Sequence, residues 1–130
     1  MLKSFKLYLE HKDAEPLNIS DLKNVDVLDI GPGYIFYRAM NVEQAQEILK
    51  IWPDLKLPLQ HENLLQQYFN QGYIFFFYIT KNKTDFLFFE CDGDDVLKVV
   101  HDAKYTAIDY ESVPQHVQKI VEQYIKVESL

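Results

Sequence analysis

Three carboxylates stand within four residues at Asp92-Gly93-Asp94-Asp95, a density at which a cation loop would first be sought. A calcium loop of the EF-hand kind needs alternating oxygen ligands, a central glycine and a glutamate at its twelfth position. Counted from Asp92, that position is Ala103, so the stretch reads as the polar turn of a hairpin. His101-Asp102 is a dipeptide that metal-dependent phosphohydrolases use, but that chemistry needs further His and Asp residues on neighbouring helices. His11, His61 and His116 fall in unrelated segments, and His101 closes a predicted strand. His61-Glu62 would need a second histidine at 65 to make a zinc-protease helix, and 65 is Leu65.

Cys91 is the only cysteine, so no disulfide can form within the chain and a reducing compartment is expected. As a nucleophile it would need a base, and His101 could reach it only across adjacent strands. No basic neighbour lowers its pKa, and its strand is densely apolar, so it reads as a buried structural thiol. Gly31-Pro32-Gly33 lacks the Lys-Ser/Thr of a phosphate loop and leads into a strand rather than a helix. No nucleophile–base pair or metal set can be assembled. The expectation is a protein that is not an enzyme, with no cofactor and no metal.

Charge points to binding instead. The chain carries 20 acidic and 13 basic residues, a net charge of −7, and Arg38 is its one arginine. A nucleic-acid binder draws most of its affinity from clustered Lys and Arg, so that class is excluded. An acidic surface suits solubility or a basic partner. Asp92, Asp94 and Asp95, together with Asp26, Asp29 and Glu10, are the candidate partner-binding residues. Whether these segments form one negative face or an ordinary solvated surface stays open at this stage. The amino-terminal "MLKSFKLYLEHKD" lacks the apolar core of a signal peptide, and no apolar run approaches the roughly 18 residues that span a bilayer. No membrane association is expected, and the expected location is the cytoplasm.

The elements that position these residues follow from periodicity. Phe5, Leu7 and Leu9 alternate with polar neighbours as in a half-buried strand, and a polar segment with a proline follows. Residues 25–30 alternate again, with Val25, Val27 and Asp29 on one face and Asp26, Leu28 and Ile30 on the other. A turn at 31–33 leads into a strand at 34–38. Asn41 opens a helix with Gln44 at the capping-box position, and Pro53 ends it after Trp52. A second helix is expected over 60–70, stopped by Gly72. Strands at 73–80, 86–91 and 96–101 follow, with a further short one in 105–110. A last helix starts near Pro114.

The chain has nine Tyr and nine Phe, and many sit in the 73–91 hairpin. Tyr73, Phe75, Phe77 and Ile79 point one way, while Ile74, Phe76 and Tyr78 point the other. Both faces are apolar, as in a central strand covered on both sides. Gly93 is expected to supply a positive φ in the turn that ends the run. The fold class is α+β in a single domain of 130 residues, a mainly antiparallel sheet with helices packed on it.

Residues 33–125 resemble the SUKH superfamily, the Smi/Knr-like proteins. Phe88, Phe89, Asp92, Gly93, Val96, Val99, His101, Asp102 and Tyr110 to Ser112 carry the likeness, and the strand and helix of 33–52, with its tryptophan, add to it. The resemblance implies an α+β intracellular protein that binds and neutralises a cognate bacterial toxin, often a nuclease, as an immunity protein. A basic toxin would complement the acidic surface read above. Two other classes remain open: a small-ligand domain with an aromatic pocket around Trp52, Phe75 and Tyr78, and a phage-type acidic inhibitor that mimics DNA.

Overall fold

The computed structural model describes residues 24–56, 58–82 and 84–128. The expected strand at 5–9, the polar segment after it and Glu10 lie outside these residues. Among the described residues six strands form one sheet in the order β1-β2-β3-β4-β5-β6, each antiparallel to the next. They are β1 (Asp26–Gly31), β2 (Tyr34–Ala39), β3 (Ile74–Thr80), β4 (Phe86–Cys91), β5 (Leu97–His101) and β6 (Ala107–Ile108). Helices α1 (Val42–Gln46) and α2 (Glu62–Asn70) lie between β2 and β3, and α3 (Gln115–Val121) follows β6. The α+β class with a mainly antiparallel sheet is the observed architecture.

The alternation of the hairpin gives the sheet two buried faces. Tyr37, Phe75, Phe77, Phe86 and Phe88 share one core with Ala45 and Ile48 near α1 and Leu65 of α2. Phe36, Phe76, Tyr78, Phe89 and Cys91 share the other with Val117, Ile120 and Val121 of α3. Phe75, Phe76 and Phe77 are all fully buried, so β3 is apolar on both sides because both sides are covered.

The expected helix of 41–52 is shorter than its pattern. Asn41 caps α1, accepting from the Gln44 N–H at 2.9 Å, and the Gln44 side chain accepts from the Met40 N–H at 2.8 Å. After Gln46 the chain tightens into a 3-10 turn over Glu47–Lys50. Pro53 disfavours the α region for Trp52, so the segment winds down ahead of it. α2 ends in a glycine motif: the Gly72 N–H bonds Phe69 and the Tyr73 N–H bonds Tyr68, with Gly72 at φ 91°.

Two bulges shift the expected register. Val27 pairs with Tyr37 but Asp29 pairs with Phe36, so Leu28 is the extra residue. Asp29 therefore leaves the face of Val27, where plain alternation puts it. The Leu28 carbonyl accepts the Tyr124 hydroxyl at 2.8 Å. In β5, Glu90 pairs with Val99 and Cys91 with Leu97, which makes Lys98 the bulged residue. The positive φ expected at Gly93 lies instead at Asp95, at 63°.

Candidate functional site

The β4–β5 turn is built by its own first carboxylate. Asp92 Oδ1 accepts the N–H of Asp94 at 2.8 Å and of Val96 at 3.0 Å. The Asp95 N–H bonds the Asp92 carbonyl, and the Asp95 carbonyl accepts from the Lys126 N–H at 2.8 Å. Lys98 reaches Asp92 Oδ2 at 3.6 Å. The Val96 and Asp94 N–H groups, with Lys98 behind them, hold the Asp92 carboxyl below the usual carboxylate range. Asp95 is half-buried in the left-handed region, with Oδ1 enclosed and without a hydrogen bond. Asp94 is exposed. The three acids thus divide their work: Asp92 shapes the turn, Asp95 bends it, and Asp94 presents its charge. Behind them, a Cβ on Gly93 would meet the Gly72 carbonyl oxygen at 3.3 Å, so the turn seats against the end of α2.

The other candidate acids stand apart from this turn. Asp26 lies in one row with Arg38, Phe76 and Phe89, three strands from β4 and three residues short of Asp92. At about 4.8 Å per strand and 3.4 Å per residue, that is roughly 17 Å. Asp29 lies farther along β1. Asp26 is also partly neutralised, since Arg38 Nε donates to its Oδ2 at 3.0 Å and a second guanidinium nitrogen ion-pairs with the same oxygen.

Cys91 and His101 do not meet. Cys91 pairs with Leu97 and faces the α3 core, while His101 pairs with Phe88 and faces the other. Burial, with Asp95, Asp92 and Glu90 nearby, pushes the Cys91 thiol up, away from the thiolate a nucleophile needs. Among the described residues no group of His, Cys, Asp and Glu could hold a metal. Trp52 packs on Phe86 at 5.7 Å beside the core of Phe75, whereas Tyr78 faces the opposite side of the sheet.

The sheet brings together a group that motif reasoning missed. Glu90 is 4 % exposed and His101 7 %. His101 Nδ1 lies 3.3 Å from Glu90 Oε2, off the line that a hydrogen bond needs, so the nitrogen is buried without one. The Tyr105 hydroxyl donates to the same Glu90 oxygen at 3.1 Å and meets the Tyr68 hydroxyl of α2 at 3.3 Å. The Tyr105 ring stacks on His101 at 4.0 Å. Burial raises the Glu90 carboxyl and lowers the His101 imidazole, each favouring its neutral form; the Tyr105 bond and nearby Asp102 oppose these shifts. Tyr105 itself sits at φ 60°, a left-handed conformation that bulky residues rarely adopt. One signal was legible: Glu90 occupies the inward phase after Phe86 and Phe88, where a charge must find partners.

Comparison with family models, with curated proteins and with solved structures finds no match. Among the described residues no helix is long and apolar enough to cross a membrane.

Proposed function

We propose that this protein acts by binding, as a SUKH-type immunity protein that neutralises a basic bacterial toxin in the cytoplasm, and that it has no catalytic activity of its own. The observation that carries this reading is the β4–β5 turn, whose hydrogen bonds hold it in shape while Asp94 stays in solvent. A preformed turn presents charge with little ordering cost on association. The net charge of −7 adds long-range attraction for a basic partner, which speeds encounter and weakens with salt.

The test is co-expression and titration with the product of the gene immediately upstream. Binding should neutralise that product, slow its association as salt rises, and weaken at least about tenfold, or 1.4 kcal/mol, in Asp94→Lys. Asp94→Lys alone is the informative change, because Asp92 and Asp95 also hold the turn. Absence of a complex and of protection removes the proposal. Metal-dependent turnover by the purified protein, lost in His101→Ala, would show an enzyme instead.

A further inference from the structure

We infer that the cleft between the β3–β4 hairpin and the start of α3 receives one arginine side chain of the protein partner; this rests on the binding reading above. The cleft has a volume of about 240 Å³. Buried Tyr78, Phe86 and Val117 line it, and its polar groups are Asp85 from the β3–β4 loop, Asp102 from the β5–β6 turn and His116 of α3.

Both carboxylates are available to a ligand. Asp102 commits Oδ1 to the N–H groups of Lys104 and Thr106, each at 2.9 Å, and Oδ2 makes no hydrogen bond among the described residues. Asp85 is exposed and takes part in no ion pair among the described residues. It lies close enough to the Tyr78 phenol to add to the burial that raises it. Lys81 and Lys104 belong to the same two turns but do not line the cleft.

Size, lining and charge select the occupant. At about 30 Å³ per water the volume equals roughly eight waters, below the range of about 300–1,000 Å³ typical for a drug-sized ligand. One long side chain suits it. A mostly apolar lining accepts a methylene stem. Two carboxylates from different loops match the forked donors of a guanidinium better than the point charge of an ammonium. Arginine is also among the residues that dominate protein interfaces from central pockets. The cleft lies about seven residues along β4 from Asp92, roughly 24 Å. A round interface of about 800 Å² per partner is roughly 32 Å across, enough to include both.

The experiment uses the full chain at pH 8. Nα-acetyl-arginine amide is titrated while the NMR signals of Tyr78, Phe86, Leu87 and Val117 are followed. Saturable shifts with millimolar affinity are expected, several-fold weaker with the lysine analogue and at least about tenfold weaker in Asp85→Asn/Asp102→Asn. Asparagine keeps the Oδ1 acceptor, so the turn at 102 persists; an unchanged melting temperature checks this. The upstream product should lose affinity for the same double variant. If that product binds wild type and variant equally and the amide causes no saturable shift, the cleft is no anchor and the binding reading stands. If no partner binds but the amide does, in a carboxylate-dependent way, the binding reading falls and the guanidinium site stands. Equal binding of the lysine and arginine amides overturns the choice of arginine.

Discussion

The turn joining β4 to β5 and the turn joining β5 to β6 share one five-residue frame. In each, an aspartate opens the turn and its Oδ1 accepts the N–H groups two and four residues on: Asp94 and Val96 for Asp92, Lys104 and Thr106 for Asp102. In each, the N–H of the fourth residue bonds the aspartate carbonyl, and that fourth residue has positive φ. The difference lies in what stands there. Asp95, at 63°, is a residue type that tolerates the left-handed region; Tyr105, at 60°, is not. The first turn bends at little cost and leaves a carboxylate in water. The second uses the same bend to press a ring over Glu90 and His101. One backbone motif thus serves a charged surface at ten residues' distance from a buried polar core, and the strain is found only where the side chain has partners that hold it.

If the second turn is held by those partners, removing the ring beneath it has the largest effect. Phe88 is buried at 4.8 Å from Phe75, 5.7 Å from His101 and 6.1 Å from Tyr105. Phe88→Ala should destabilise by about 3–5 kcal/mol in denaturant titration. An unchanged midpoint would mean that the aromatic layer does not hold the cluster. Tyr105→Phe keeps the stacking and deletes only the hydroxyl shared by Glu90 and Tyr68. Leaving a buried carboxyl short of a donor should cost about 1–3 kcal/mol and raise the Glu90 pKa further, which NMR titration would read. A neutral Tyr105→Phe would break the comparison, since the strained tyrosine would then lack its partner.

The same substitution at the two equivalent positions sharpens it. Glycine adopts positive φ freely, so Asp95→Gly should leave stability unchanged or raise it by a few tenths of a kcal/mol. Tyr105→Gly relieves about 1 kcal/mol of left-handed strain but loses the ring contacts and both hydroxyl bonds, and should be destabilising. Asp95→Lys should cost about 1 kcal/mol, because it places a side chain without local tolerance at φ 63°. Equal effects of glycine at 95 and 105 would mean that the frame alone sets the energetics.

How much of this was legible in advance depends on the range of the interaction. The two-faced β3, the cap at Asn41 and the stop at Gly72 are local, and period and residue type reveal them. The bulge at Leu28 is not local: its carbonyl is satisfied by Tyr124, 96 residues away. That bulge moves Asp29 off the face alternation assigns to it. The turn at 92–95 was recognisable as a turn, yet Asp95 rather than Gly93 takes the positive φ, because the Asp92 side chain and Lys126 dictate the path. Glu90 gave a signal through its inward phase, but its partners come from β5 and the next turn, and Tyr68 of α2 joins only through Tyr105.

The smallest effect concerns pH, because two buried groups oppose one another. His101 is lowered from an ordinary 6.5, chiefly by burial, so the unfolded chain takes up its proton first. Its contribution to stability is therefore lost as pH falls below 6.5. Glu90 is raised from an ordinary 4.5, again by burial, so the folded protein holds its proton more tightly. Its contribution is present below 4.5 and is lost as pH rises through the folded value. Between these limits the slopes have opposite sign and wild-type stability should change little. Asp102 favours the imidazolium, and the Tyr105 phenol, raised chiefly by burial, remains protonated throughout. Asp92 lies outside the window: lowered from 3.8 by its two N–H donors, it adds stability above 3.8 that disappears as pH falls through its folded value. Two variants separate the buried pair. Measured against wild type, Glu90→Gln should lose stability on acidification below 6.5, and His101→Gln should lose it as pH rises above 4.5. Both read out as the difference in unfolding midpoint at a series of pH values. If each variant follows the wild-type profile, Glu90 and His101 titrate alike in the folded and unfolded chain. The buried cluster would then differ from the exposed turn in position but not in electrostatics.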